Sequence, residues 1–185
     1  YLIGHSTGCQ DILCLCKKGI QKEFPIKKCI LQGPVSDRDY VEKEEDLLNE
    51  IKRIENEYNI PYKDWNSSDL KNSMDISKYL YDGQYPLLIR RFISLYSKLG
   101  DEDWFSFDIS QDEFNTIYSC VNIPLLLVFS LNDQYVNYTN EDYQKLIKKI
   151  KNANKNINTY ILKDDHYIEN SKDEFYKLIK EFFCK

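Results

Sequence analysis

Short apolar runs alternate with longer amphipathic stretches along this chain. Residues 1–4, 28–32 and 157–162 have the length and composition of strands, and the run 123–130 is apolar almost throughout. Continuous hydrophobicity of this kind is typical of a strand that is covered on both faces of a parallel sheet. The pattern predicts an α/β fold with about four parallel strands.

Between these runs, apolar residues recur at the spacing of one helix face. Pro86 suits the first turn of a helix, and Ser36 suits the position just before one. We therefore predict helices over residues 9–18, 37–58, 86–99, 140–152 and 171–183. The segment from residue 60 to residue 120 is otherwise irregular, with Pro and Gly as breakers.

Composition and charge narrow the class of protein. The 185 residues are 42% hydrophobic and 14% aromatic, which is enough to fill one sizeable core. The net charge is −5, and because Lys and Asp/Glu are interleaved rather than gathered into a basic patch, we expect no nucleic-acid partner. No apolar run approaches the roughly 18 residues that cross a bilayer, so we expect no membrane span.

The cysteines give no sign of a metal or cofactor site. None forms a CxxC pair with the spacing of metal ligands, and most fall inside apolar helix or strand patterns. We expect reduced, buried thiols, a cytoplasmic protein, and neither metal nor cofactor. The six residues are Cys9, Cys14, Cys16, Cys29, Cys120 and Cys184.

The strongest chemical signal is the pattern G-x-S-x-G at Gly4-His5-Ser6-Thr7-Gly8. It stands directly between a predicted strand and a predicted helix, which is the context of a nucleophile elbow. Such an elbow holds its serine on a strained turn, and we expect both glycines to be required because a Cβ would collide with a neighbouring strand or helix. Ser6 is therefore the candidate nucleophile. The alternative is a glycine-rich turn without chemistry.

A serine nucleophile needs a base, and the chain has only two histidines. His5 lies inside the elbow, so we expect its side chain to point away from Ser6 into the underlying structure and to be packed or hydrogen-bonded. His166 follows the last predicted strand, where a loop at the carboxyl end of a sheet returns to the elbow. We predict His166 as the base, with an ordinary surface histidine as the alternative.

The third member of a triad orients the imidazole and stabilises its charged form. Asp133 follows the most apolar strand and lies between Ser6 and His166 in chain order, as expected of this arrangement. An ordinary turn aspartate is the alternative, and Asp164 and Asp165 are reserves. The backbone N–H of Thr7 is the predicted oxyanion donor, together with a second N–H from a loop after an earlier strand.

Four segments carry a resemblance to a known family: LIGHSTGCQD at 2–11, ILQGPVSDR at 30–38, RFISL at 91–95 and DEDWFS at 101–106. They resemble a little-studied α/β-hydrolase family whose characterised members are siderophore esterases, and the likeness continues through Asp133 to His166. The resemblance implies an α/β-hydrolase fold, and for some members the hydrolysis of ester bonds in hydroxamate siderophores.

The resemblance also implies a domain plan. That sheet usually has eight strands and the elbow follows the fifth, whereas this chain opens at the elbow strand without an initiator Met. We expect residues 1–185 to be one domain that lacks its N-terminal strands and is inactive and poorly soluble alone. Its strands should lie in the order 1–4, 28–32, 123–130, 157–162, with helices on both faces.

Residues 39–119 are the expected helical cap insertion. The cap aromatics would line a substrate cleft or simply pack the cap. Arg90 or Arg91 would meet an anionic group or would be solvated or salt-bridged, and both interpretations stay open. The aromatics are Tyr62, Trp65, Tyr79, Tyr81, Tyr85, Trp104 and Phe105.

The sequence thus predicts a serine esterase that forms an acyl-enzyme with a small-molecule ester substrate. Two alternatives remain open. The same triad performs acyl transfer or carbon-carbon hydrolysis in other enzymes, and a hydrolase fold also serves as a non-catalytic binding protein.

Overall fold

A computed structural model of the protein describes residues 1–41, 44–65, 79–81 and 86–184. The strands are β1 (Leu2–His5), β2 (Cys29–Gln32), β3 (Tyr79–Tyr81), β4 (Pro86–Leu88), β5 (Leu125–Ser130) and β6 (Ile157–Leu162). The helices are α1 (Thr7–Lys17), α2 (Asp37–Tyr40), α3 (Glu45–Tyr58), α4 (Ile89–Tyr96), α5 (Gln111–Ile117), α6 (Asn140–Ala153) and α7 (Lys172–Cys184).

The chain forms two compact units. The first comprises Tyr1–Val35 and Phe107–Lys185, and the second comprises Ser36–Ser106. The expected cap, residues 39–119, does not have the same bounds as this second unit. Helix α5 lies within the expected cap but belongs to the first unit. The role of the second unit as a cap stays a prediction.

The first unit is built on a parallel sheet in the order β1-β2-β5-β6, which confirms the predicted strands and their order. The register places Gly4 beside Leu31, and Leu31 beside Leu127. Since all four strands run the same way, the loops that follow β1, β2, β5 and β6 meet at one edge of the sheet. This edge carries Ser6, Asp133 and His166.

Helices cover both faces of this sheet, as predicted. Successive residues of a strand point to opposite faces, so the continuously apolar strands place apolar side chains on both faces, and both must be covered. On one face α1 crosses close to Gly4, and Tyr143 of α6 packs against Phe129 with ring centroids 5.4 Å apart. On the other face the apolar side of α7 covers a buried cluster. That cluster contains Ile30, Leu126, Val128, Leu162 and Ile168, with Phe175, Leu178, Ile179, Phe182 and Phe183 packed against it.

Two of the predicted helices need correction. The predicted helix 37–58 is divided into α2, which Ser36 caps through Asp39 N–H, and α3, which ends where Asn59 adopts φ 52°. In the predicted helix 86–99, residues Pro86–Leu88 instead form a strand that pairs antiparallel with Tyr79–Tyr81. Pro is tolerated at the first residue of a strand, and a pairing with residues earlier in the chain is invisible to a local helix pattern.

Helix α5 was not predicted, although its signal is present in the sequence. Ser110 accepts a hydrogen bond from Glu113 N–H, and the Glu113 carboxylate accepts one from Ser110 N–H, which together form a capping box. None of the helices within the described ranges has both the length and the apolar character that a membrane span requires.

The second unit has its own core, in which Leu47, Ile51 and Ile54 of α3 pack with Trp65 and Phe92. Trp104 and Phe105 are also buried, and Tyr62 contacts Trp65 edge to face, so these aromatics pack the unit. The Arg91 guanidinium pairs with Glu102. The candidate cleft residue Tyr85 and the side chains of Tyr79 and Tyr81 lie outside the described residues.

Candidate active site

Ser6 occupies the single position between the end of β1 and the start of α1. Its backbone has φ 54° and ψ −124°, a region that residues with a side chain rarely adopt and that costs about 1–3 kcal/mol. The main chain holds this conformation from both sides, because Ser6 N–H donates to Gln32 O at 3.0 Å and Ser6 O accepts from Cys9 N–H at 2.8 Å. This is the strained strand-to-helix turn expected of a nucleophile elbow.

The two glycines of the elbow have different roles. A Cβ on Gly4 would overlap the carbonyl group of Gly8 and approach Ile12 Cδ1 to 2.9 Å, so α1 passes β1 only because residue 4 is glycine. A Cβ on Gly8 would meet no described atom within 4 Å. The expectation that both glycines avoid a collision is right for Gly4 and wrong for Gly8.

Asp133 and His166 form a buried pair. Asp133 Oδ2 lies 2.6 Å from His166 Nδ1, and the two residues are 5% and 1% exposed. The second carboxylate oxygen, Oδ1, accepts from Tyr135 N–H at 2.9 Å, which fixes the orientation of the carboxylate. A carboxylate at Nδ1 keeps the proton on that nitrogen and leaves Nε2 as the basic atom.

The Nε2 atom of His166 is buried, and no hydrogen-bond partner for it exists within the described ranges. A buried polar atom without a partner is uncommon and often marks a functional position. In a triad this atom faces the serine Oγ.

The two reserve carboxylates, Asp164 and Asp165, accept hydrogen bonds inside the loop of residues 163–171 between β6 and α7, here called the histidine loop. Asp164 accepts hydrogen bonds from the backbone N–H groups of Asp165, Asn170 and Ser171 and from the Asn170 amide. Burial acts to raise the pKa of Asp164, but these donors outweigh it and lower the pKa to about 2. Asp165 Oδ1 accepts from Tyr167 N–H at 2.9 Å. Both residues therefore shape the loop.

His5 is hydrogen-bonded, as expected, through Nδ1 to Gln32 Oε1. It does not point into the underlying structure, however, because the residue is exposed and its ring centroid lies 4.8 Å from that of His166. The sheet register explains this position, since His5 lies directly beside Gln32 and their side chains share one face.

Sequence reasoning missed three residues that hold His166. Gln32 Nε2 donates to His166 O at 2.8 Å, and Gln134 Oε1 accepts from His166 N–H at 3.1 Å. Gly33 adopts φ 62°, and a Cβ there would lie 3.0 Å from His166 Cε1. The available signal was the polar-plus-glycine pair Gln32-Gly33 at the end of an otherwise apolar strand.

Two tyrosines line the imidazole. The Tyr135 ring meets the His166 ring edge to face at 4.7 Å, and the hydroxyls of Tyr135 and Tyr167 are 2.7 Å apart. The Tyr167 ring also contacts His166, with centroids 5.5 Å apart, and Tyr167 is itself exposed. These rings restrict the rotation of the imidazole.

Residues 1–181 match the model of a family described as "Protein of unknown function (DUF1749)". The chain belongs to this family. It is 28% identical over 160 residues to the UPF0613 protein PB24D3.06c of Schizosaccharomyces pombe, a match that covers 78% of this chain and 48% of that protein. The chain thus spans about half the length of this curated relative.

The fold is similar to that of the solved siderophore hydrolase EstB from Aspergillus fumigatus. The TM-score is 0.64 at 20% sequence identity, over 99% of this chain and 65% of that one. At this identity the likeness shows the fold, and this DUF1749 member has the α/β-hydrolase fold predicted from its sequence.

The N–H of Thr7, the predicted oxyanion donor, lies at the N-terminus of α1 next to Ser6. Thr7 is the first residue of α1, and the first N–H groups of a helix have no acceptor within the helix. The first turn of α1 carries no acidic residue, so the positive end of the helix dipole is not neutralised there. A negative charge that develops next to Ser6 would be stabilised both by the N–H groups at the start of α1 and by the helix dipole.

Proposed function

We propose that this protein is a serine hydrolase that cleaves small carboxylic esters through Ser6, His166 and Asp133. The observation that carries the proposal is the buried Asp133–His166 pair, at the same sheet edge as a serine held in the strained conformation of an elbow. The α/β-hydrolase fold supports it, since enzymes of this fold place their triads at that edge.

The proposed reaction proceeds in two halves. In the first, His166 Nε2 takes the proton of Ser6 Oγ as this oxygen attacks the ester carbonyl carbon, and Asp133 stabilises the resulting imidazolium. The Thr7 N–H stabilises the oxyanion. The alcohol then leaves with the proton from His166. In the second half, His166 activates a water that hydrolyses the acyl-enzyme and releases the acid.

The substrate class we propose is small carboxylic esters, including siderophore-like esters. Siderophore-like esters are included because the Aspergillus fumigatus protein EstB, which has a similar fold, is a siderophore hydrolase. Fold alone transfers reaction class better than substrate, so a short-chain aryl ester and a hydroxamate siderophore ester are the first two substrates to assay.

We also propose a cytoplasmic location, on the evidence of the thiols. All six cysteines are free, but the expectation that they are buried holds only for Cys9, Cys16 and Cys29, since Cys14 and Cys120 are partly buried and Cys184 is exposed. Burial raises the pKa of Cys16 to about 12 and that of Cys29 to about 11. Protonated, buried thiols are unreactive and are typical of a reducing compartment. Fractionation of cells that express the full gene, followed by immunoblotting, tests this location.

The hydrolase proposal is tested with full-length protein and p-nitrophenyl butyrate. Ser6→Ala should lower kcat by about 10⁴-fold or more, as loss of a triad nucleophile does elsewhere. Ser119→Ala is the matched control, because Ser119 is exposed and its hydroxyl donates to Thr116 O, away from the proposed triad. Unchanged turnover by Ser6→Ala would overturn the proposal.

The same assay separates hydrolysis from acyl transfer. A hydrolase releases acid and alcohol in equal amounts over many turnovers. A burst of one equivalent of alcohol, with further turnover only after an acceptor alcohol is added, would instead show an acyltransferase.

A further inference from the structure

One residue contacts both the proposed nucleophile and the proposed base. The main-chain carbonyl of Gln32 accepts from Ser6 N–H at 3.0 Å, and its side-chain amide donates to the main-chain carbonyl of His166 at 2.8 Å. Gln32 is 5% exposed, so this amide is buried. Its contacts connect residues that are 160 positions apart in the chain.

Hydrogen-bonding chemistry fixes which way the amide points. A carbonyl oxygen only accepts, so the atom of Gln32 that faces His166 O must be the NH₂ group. Oε1 therefore faces His5 and accepts from Nδ1–H of that ring. Both ends of the amide are satisfied, as a buried amide requires, and a rotation of the amide would break both contacts.

The His166 peptide is held on its other side as well. Gln134 Oε1 accepts from His166 N–H at 3.1 Å, so the N–H and the C=O of the proposed base are both held by glutamine side chains. Gln32 differs from Gln134 in being buried and in holding the Ser6 backbone at the same time.

We propose that Gln32 is a positioning residue that sets the separation between Ser6 and His166. It acts through the histidine loop, by its contact with His166 O. This inference rests on the proposed function, because it assigns Gln32 to the same triad. A displacement of about 1 Å between reacting groups costs about 100-fold in rate, so the loss of one such contact should be visible in kcat.

The test compares two glutamines that make the same kind of bond. In Gln32→Met the side chain keeps its length and the main-chain bond to Ser6, but the donor to His166 is lost. Gln21→Met is the control, because Gln21 Nε2 donates to the carbonyls of Cys16 and Cys120 at 3.2 and 3.3 Å, within the first unit and at neither triad loop. Gln32→Glu is a second variant of the same size that stays polar but, when ionised, cannot donate.

Each variant is measured in the full-length protein by kcat, KM, thermal unfolding and hydrogen–deuterium exchange of the histidine loop. Both Gln→Met variants should lower the melting temperature, because each loses the two hydrogen bonds of its amide. Only the two Gln32 variants should lower kcat, by about 10-fold to 100-fold with KM changed less than about threefold, and only they should speed exchange at His166.

Two results would overturn the inference. Wild-type kcat in Gln32→Met and Gln32→Glu would show that the contact does not position the base, and an equal loss of kcat in Gln21→Met would show a general effect of stability. A failure of the proposed function would give a different result, since full turnover by Ser6→Ala would show that the triad is wrong. In that case the exchange measurement would still decide whether Gln32 holds the histidine loop.

Discussion

The carboxylate of Asp133 lies 2.6 Å from Nδ1 of His166, although 32 residues separate them in the chain. The sheet explains their meeting. Ser130 and Leu162 are paired at the ends of β5 and β6, so the loops that follow these strands leave the sheet side by side. Each loop needs only a few residues to bring Asp133 and His166 together.

Loss of the Asp133 charge should disable the proposed base without disturbing the loop. In Asp133→Asn the amide cannot hold the same imidazole tautomer or stabilise an imidazolium, so kcat should fall by about 10⁴-fold. The matched control is Asp165→Asn, which should stay within about threefold of wild type because its carboxylate bonds within its own loop. Equal losses in the two variants, measured by steady-state ester hydrolysis, would contradict the assignment.

Asp164 should contribute to stability in a pH-dependent way. Although burial opposes this, hydrogen-bond donors hold its folded-state pKa at about 2, below the ordinary value of 3.8. A depressed pKa gives stability that is present above the ordinary pKa and is lost as pH falls from about 4 towards 2. Asp164→Asn should therefore be about 1 kcal/mol less stable than wild type at pH 6.

Urea unfolding at several pH values measures this difference. The gap between wild type and Asp164→Asn should narrow as the pH falls below about 4, because both chains then lack the charge. A gap that is constant from pH 6 to pH 2 would show that the charge of Asp164 is not what stabilises the loop.

Gly33 should matter for catalysis as well as for backbone conformation. Gly33 and Gly19 both have positive φ, 62° and 73°, so alanine at either position costs a similar strain of about 1 kcal/mol. Only at Gly33 would the new Cβ press on the His166 ring, since Gly19 faces open space. Gly33→Ala should lower kcat by about 10-fold or more, while Gly19→Ala keeps wild-type kcat with a similar loss of melting temperature.

The buried ion pair Arg38–Asp103 of the second unit should contribute more to the free energy of unfolding than the exposed ion pairs of the same unit. Arg38 Nη1 lies 2.9 Å from Asp103 Oδ2, and Asp103 also accepts from Leu99 N–H and the Ser106 hydroxyl. Burial raises the pKa of Asp103, against the lowering effect of Arg38, so removal of the arginine leaves a buried carboxylate that lacks its compensating charge. Arg38→Met should cost about 3 kcal/mol of unfolding free energy.

The control for this pair is Arg53→Met. Arg53 bonds to Glu50 and Glu57 on the exposed side of α3, where such pairs contribute less than about 1 kcal/mol. Chemical denaturation of both variants decides the comparison, and equal destabilisation would mean that the Asp103 carboxylate does not depend on Arg38.

Local pattern was sufficient to predict the four strands of the sheet and to choose the candidate nucleophile, because apolar runs mark strands that are covered on both faces and the elbow motif carries its own geometry. The order of β1, β2, β5 and β6 was predicted from the α/β-hydrolase fold that this motif and the family resemblance imply. Asp133 could be chosen because it directly follows the most apolar strand, and the structure places it against His166.

Long-range contacts could not be predicted in this way. The contact of Gln32 with His166 spans 134 positions in the chain. No local motif indicates that a glutamine at the end of a strand will make such a contact. The strand at Pro86–Leu88 likewise depends on a partner at Tyr79–Tyr81, which overrides a helix pattern that begins with proline. The prediction for Gly8 was wrong for a different reason. The strand-turn-helix context of the motif was predicted correctly, but a Cβ on Gly8 would not collide with a neighbouring element.

Covalent labelling shows whether Ser6 is a nucleophile that His166 activates. Full-length protein is treated with a fluorophosphonate, digested, and the modified residue is located by tandem mass spectrometry. We expect one adduct per chain at Ser6, absent in Ser6→Ala and formed at least about 10³-fold more slowly in His166→Ala. An adduct at another residue, or labelling of His166→Ala at the wild-type rate, would contradict it.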